Sequence, residues 1–222
     1  MQFKHTLLAA ALSAGFVVQA SAHEITIAAG GLGSTLNVQQ SFIDTTPMTG
    51  IDIGSSGTDN GLGGEASVAY VWNVNSGFDI GFEFFYDFTG SLSVTAPTGE
   101  VTTLNNIWGV RGLPAFRITN NTKIYIDLGY AIIDQTIDVS SIDNGAGPPG
   151  FTTTSLQSKN AGGFQYGAGV ETMIYNTIGI RLAYTAQQAA ELSLASDDGV
   201  ETFNSTPTVY QFFFGASYHF QF

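Results

Sequence analysis

The sequence predicts an all-β chain, folded as an eight-stranded antiparallel up-and-down barrel whose strands cross a membrane. Three observations predict it. Apolar residues recur with a period of two along most of the chain. The connections alternate between tight turns and long polar stretches. The chain also ends inside an aromatic run, V-Y-Q-F-F-F-G-A-S-Y-H-F-Q-F, in which Tyr210, Phe212, Phe214, Ala216, Tyr218, Phe220 and Phe222 share one parity. On a strand that parity is one face. Seven apolar side chains in a row on one face call for a solvent other than water.

The first residues address the chain. Lys4 precedes an apolar stretch of small residues, Thr6–Val18, and Ala20-Ser21-Ala22 offers an A-x-A site. This reads as a secretory signal peptide, residues 1–22, cut after Ala22, with one barrel domain over 23–222. No later run reaches the roughly 18 apolar residues that a membrane-spanning helix needs. There is no cysteine, hence no disulfide framework. Asp and Glu number 18 against 6 Lys and Arg, which excludes nucleic acid as a partner, since neutralising phosphates takes a basic face. Only 11% of residues are charged, with 27 glycines and 13% aromatics, a composition suited to a β-protein with an unusual surface.

Eight segments follow in order, near 24–38, 62–75, 77–91, 102–118, 122–137, 161–175, 177–192 and 208–222. The first is Gly-rich over Ala28–Gly33, which leaves its facing open. Phe78, Ile80, Phe82, Phe84, Tyr86 and Phe88 alternate with Asp79, Gly81, Glu83, Phe85 and Asp87. Ile124, Ile126, Leu128, Tyr130 and Ile132 do the same in the fifth segment, and Ile178, Ile180, Leu182 and Tyr184 in the seventh. Turns are expected at Asn75-Ser76-Gly77, Thr119-Asn120-Asn121 and Tyr175-Asn176-Thr177. Long polar connections are expected at about 39–61, 92–101, 138–160 and 193–207. Short periplasmic turns and four longer extracellular loops are the layout of a transmembrane barrel. Each segment exceeds the roughly 9–11 residues a tilted strand needs to cross.

The large apolar face is assigned to lipid and the face of Gly, Ala, Ser and a few charges to the interior. A soluble sandwich or lipocalin would put the apolar face inward. That alternative fits poorly with charges opposite each apolar row. Tyr70, Trp72, Trp108, Tyr175 and Tyr218 lie near strand ends, as interfacial girdles do.

Gly215-x-x-Tyr218-x-Phe220, continued in parity by Phe222, resembles the C-terminal assembly signal of bacterial outer-membrane β-barrels. Phe213 stands where that pattern prefers a polar residue. The mature chain as a whole is similar to the small eight-stranded OmpA/OmpX/OmpW-like superfamily. The resemblance implies the bacterial outer membrane as location. It implies outer-membrane lipid and lipopolysaccharide as surroundings, and the barrel-assembly machinery and periplasmic chaperones as partners in biogenesis. It also implies a monomer, with a host or surface ligand at the loops.

With that facing, Glu65, Asp79, Glu83, Asp87, Arg111, Arg117, Asp127, Glu171, Arg181 and His219 point inward. Across the turn at 175–177, Glu171 falls opposite Arg181, a favourable cross-strand pair. Across the turn at 119–121, Asp127 lies diagonal to Arg111 and within its reach. An eight-stranded barrel has room inside for side chains and little else, so Glu65, Glu83, Asp87, Arg111, Asp127, Glu171 and Arg181 form an expected lumen charge network. It reads first as a structural polar plug and second as a gate whose ion pairs exchange partners.

Sites of chemistry are sparse. Enzymatic outer-membrane barrels of the deacylase and acyltransferase kind resemble one another in needing a His with a Ser. His5 and His23 lie in or beside the leader, and His219 sits near the periplasmic end. The chain is therefore expected not to be an enzyme and to need no cofactor. Gly30-Gly31-Leu32-Gly33-Ser34-Thr35 lacks the Lys and the helix of a phosphate loop and reads as strand. Asp52 with Asp59, Asp138 with Asp143, and Asp197 and Asp198 with Glu201 form acidic loop clusters. They read as solvated loop, or else as divalent-cation ligands beside lipopolysaccharide phosphates. The function expected is a closed scaffold presenting its loops for envelope integrity, surface binding or adhesion. The alternative is a narrow porin-like channel for small solutes.

Overall fold

The computed structural model describes residues 23–44, 52–96, 99–138, 156–195 and 201–222. The leader expected over 1–22, and Asp143, Asp197 and Asp198, lie outside these residues. The strands are β1 (His23–Asp44), β2 (Asp52–Asn75), β3 (Phe78–Thr95), β4 (Val101–Arg117), β5 (Thr122–Asp138), β6 (Leu156–Tyr175), β7 (Ile178–Ala189), β8 (Leu192–Ala195) and β9 (Glu201–Gln221). Consecutive strands pair antiparallel, and β9 closes the ring on β1. The short β8 continues the line of β7 after a break at Ala190 and Glu191, and it pairs with β9. The barrel therefore has eight staves, and its three tight turns fall at Ser76-Gly77, residues 118–121 and Asn176-Thr177, as the sequence predicts.

The strands are longer than the sequence predicts. The stretch 39–61, expected as a loop, is mostly hairpin: β1 and β2 stay in register from His23↔Trp72 to Ile43↔Asp52. The reason is polar alternation. Asn37, Gln39 and Ser41 occupy the outer face of a strand whose inner face carries Leu36 and Val38. Such a strand has period two without an apolar outer row.

Two segments of barrel with opposite polarity result. In the lower one, nearer the tight turns, the outer face is apolar. Ile80, Phe82, Phe84 and Phe88 of β3 are exposed there, as are Ile124, Ile126, Leu128 and Tyr130 of β5 and Phe212, Phe214, Tyr218 and Phe220 of β9. The inner face of the same strands carries Glu83, Asp127 and His219, all buried, and that of β7 carries the buried Arg181. In the upper segment the arrangement inverts. Leu36, Val38, Leu92, Val94, Leu104, Ile107, Ile133 and Val209 pack together inside, with Ile137, Leu194 and Phe203 above them. The outer face there is mostly Ser, Thr, Asn and Gln, with Asp134 and Asp138 on β5.

The ring also splits in the upper segment. Pairing of β2 with β3 stops at Gly64↔Phe88, and pairing of β6 with β7 stops at Gly163↔Ala189. Above these points β2, β1, β9 and β8 form one sheet, and β3, β4, β5 and β6 form another. The two face each other across the apolar cluster, a small sandwich that forms a crown on the barrel. A bulge between Phe88 and Leu92 turns β3 into its new sheet. Gly90 there has a φ of 58° and Ser91 of 41°, a left-handed backbone that glycine adopts without steric cost. Across the split, the Asp59 carboxylate accepts the backbone N–H of Ser93 at 2.8 Å.

At the closing seam, Gly30 of β1 faces Gly215 of β9. A Cβ on Gly30 would lie 2.4 Å from the Cα of Gly215, and one on Gly215 would lie 2.4 Å from Cζ of Phe213. The two glycines thus make room for the buried Phe213 ring. The last rung is double, with His23 N donating to Phe222 O and Phe222 N to His23 O.

Candidate functional site: the charged lumen

The alternation that turns apolar residues out turns the rare charges in, and burial then forces them to pair. Two layers form. In the middle layer Glu83 (β3) sits between two guanidinium groups. Arg111 Nε (β4) donates to its Oε1 at 2.7 Å and Arg181 Nη1 (β7) to its Oε2 at 2.7 Å. Arg111 Nη2 also reaches Glu65 (β2) at 2.5 Å. Both guanidinium planes are covered by aromatic faces: Arg111 lies 4.6 Å from the centre of the Phe85 ring and Arg181 4.8 Å from that of Tyr125. Arg181 Nε donates to the Tyr125 hydroxyl at 2.9 Å. Asp87 Oδ2 accepts from the Gln211 amide at 3.0 Å.

The lower layer lies toward the tight turns. Lys123 Nζ pairs with Glu171 Oε2 at 2.9 Å. Glu171 Oε1 lies 2.9 Å from His219 Nε2, and Glu24 Oε1 lies 2.5 Å from His219 Nδ1. Arg117 grips Asp79 with Nε and Nη2, both at 3.0 Å, and reaches Asn73 as well.

The register puts Glu171 opposite Arg181, as expected. The ion pairing expected from that register does not form. Arg181 crosses the lumen to Glu83, and Glu171 turns to Lys123 and His219. A long side chain in a narrow ring reaches a more fully buried carboxylate as easily as its neighbour's. The contact expected from Asp127 to Arg111 is also absent: Asp127 is fully buried and neither carboxylate oxygen has a hydrogen-bond partner. Sequence reasoning missed Glu24, Lys123, Tyr125 and Gln211 as members. Each has the inward parity of its strand, and that was the one signal available.

Ser217, His219 and Glu24 have the order of a nucleophile, base and orienting acid. Ser217 Oγ is 3.0 Å from His219 Nε2. Yet Ser217 donates to Glu171, and Glu171 faces the same ring nitrogen. Carboxylates accept at both ends of the ring, which suits an imidazole donating from both nitrogens rather than a base. The cluster is a clasp that ties β9 to β1 and β6.

Along the lumen, a vestibule of about 320 Å³ opens at the turn end, lined by Glu24, Arg117, Lys123, Glu171 and His219 among others. Between the layers lies a cavity of about 20 Å³ bordered by Thr26, Glu83, Tyr125, Glu171 and Arg181, room for about one water. Above the middle layer comes the apolar cluster, and Leu36, Val38, Ile107 and Ile133 in it are fully buried.

Residues 8–220 match the family model described as outer membrane protein beta-barrel domain. The chain belongs to that family. As a member it is an integral protein of the bacterial outer membrane, which makes the exposed belt a lipid-facing surface and the tight-turn end periplasmic. The outer membrane protein OprG from Pseudomonas aeruginosa is similar in structure, with 12% identity, 90% of this chain and 96% of OprG covered, and a TM-score of 0.51. This likeness shows the fold. The attachment invasion locus protein Ail of Yersinia pestis, solved with the heparin analogue sucrose octasulfate, has 17% identity over 89% of this chain and 99% of Ail, at a TM-score of 0.46. The outer membrane protease OmpT from Escherichia coli has 7% identity over 90% and 97%, at 0.40. Comparison with curated protein sequences gave no match.

Proposed function

We propose that this barrel is a closed, non-enzymatic scaffold that presents its extracellular crown and loops for envelope integrity or for contact with a surface or host ligand. One observation carries the reading: the apolar cluster of Leu36, Val38, Leu92, Leu104, Ile107, Ile133 and Val209 fills the lumen above the ion pairs. Close-packed apolar side chains leave no open path for a solute, and the inward amides of Gln135, Gln165 and Gln187 are buried along with them. The lipid-facing rows suit a monomer surrounded by lipid and lipopolysaccharide. The alternating faces of Gly215, Tyr218, Phe220 and Phe222 support their reading as an assembly signal for the insertion machinery.

A narrow channel is the second reading. The periplasmic vestibule and the choice of Arg181 between Glu83 and its neighbour Glu171 favour it, since partner exchange is what a gate needs. The two readings separate on Glu171→Ala and Arg181→Ala. For a closed scaffold, both variants, refolded in liposomes, swell no faster in small sugars than the unaltered protein, because the apolar cluster still blocks the path. Faster swelling in either variant contradicts the closed reading.

A further inference from the structure

The registers line up the outer-face side chains of the crown sheet in rows that cross its strands. Thr58, Asn37, Thr208 and Gln188 form one row, from β2 to β7. Ser56, Gln39 and Thr206 form the next. Gly54, Ser41, Asn204 and Ser193 form the third. None of these positions is charged and none is a large apolar residue. Protein surfaces standing in water normally intersperse Lys and Glu. The facing crown sheet has outward acids, Asp134 and Asp138, so this neutrality is particular to one side.

The rows are partly joined. Ser193 Oγ donates to Asn204 Oδ1 at 2.6 Å, and Asn204 Nδ2 reaches Ser41 Oγ at 3.5 Å. One row below, Thr35 donates to Asn60 at 2.7 Å. A concavity of about 470 Å³ lies over these strands, lined by Gln39, Ser41, Ser56, Glu191, Asn204 and Thr206 among others. Gly54 lies in its wall and contributes no side chain.

We propose that this face binds neutral sugar, namely the saccharide chains of the glycolipid that stands beside the barrel in the outer leaflet. The chemistry favours that ligand. Hydroxyl and amide groups both donate and accept, as sugar hydroxyls do. The spacing of about 4.8 Å between strands sets such groups in a regular array. Glu191 places one acceptor carboxylate at the edge, suited to a pair of adjacent hydroxyls. The absence of Lys and Arg from the face disfavours phosphate or sulfate, and the absence of apolar side chains disfavours acyl chains. Position supplies the source. On β9 the outward row passes directly from Tyr210, on the lipid belt, to Thr208 and Thr206 on this face. What lies beside the protein just above the acyl chains is therefore what the face meets. Tyr210, 38% exposed, borders the face from below and offers a ring to the apolar side of a sugar.

The test uses the full chain in nanodiscs containing either lipid A or rough lipopolysaccharide with its core sugars. The readout is the side-chain amide NMR signals of Asn37, Gln39 and Asn204. It does not depend on whether the lumen conducts, so it can fail while the closed-scaffold reading stands, and the reverse. The signals are expected to shift with core sugars and not with lipid A. Gln39→Ala combined with Asn204→Ala is expected to weaken binding of released core oligosaccharide at least about fivefold, as loss of one or two hydrogen bonds implies. Both positions face outward, so the barrel should still show its heat-dependent shift in gel mobility. Three results overturn the proposal: no shift, an equal shift with lipid A, or a shift that follows protein concentration without sugar, which would mark a contact between two copies.

Discussion

Glu83→Ala should be the most damaging single change in the lower barrel. It removes the carboxylate shared by Arg111 and Arg181 and leaves the Arg181 guanidinium with the Tyr125 hydroxyl as its remaining hydrogen-bond partner. Breaking a buried pair by removing one partner costs about 3–5 kcal/mol. Glu65→Ala should cost clearly less, because Arg111 keeps Glu83. Urea unfolding of both variants in lipid vesicles measures the difference. Equal losses would mean that the middle layer is not organised around Glu83.

Ile133→Asp is the counterpart in the crown. Ile133 is fully buried in the apolar cluster that fills the upper lumen. Removing its side chain costs about 2–5 kcal/mol, and an unpaired carboxylate in its place costs more. The crown sheets are separate from one another above Gly64↔Phe88 and Gly163↔Ala189, so the damage should stay local. Amide exchange at 101–107 and 131–137 is expected to quicken by more than about tenfold, the factor that 1.4 kcal/mol implies. Amides of the lipid belt at 122–130 and 212–220 should remain protected. Uniform acceleration along the barrel would show that crown and belt open as one unit.

The sequence carries much of this fold and less of its interior. Turn residues at 75–77, 119–121 and 175–177 set the hairpin registers, and a register such as Glu171 opposite Arg181 follows by counting. The ion partners do not follow, because Glu83 reaches Arg181 from 98 residues away across the lumen. No local rule ranks it above an adjacent strand. The crown was hidden for another reason. A period of two shows which residues share a face but not which solvent that face meets. Along β9 the apolar parity is odd at Phe203 and Val209 and even from Tyr210 onward, with no bulge between. That switch in parity marks the level where lipid on the outside gives way to packing on the inside. It is readable once the strand is known to continue past the membrane.

The central claim is that this lumen is shut by its own side chains. Single-channel recording of the refolded protein in a planar lipid bilayer tests it most directly, with insertion checked by protease protection. The structure predicts a silent membrane with the protein inserted. Steady, discrete openings would contradict it.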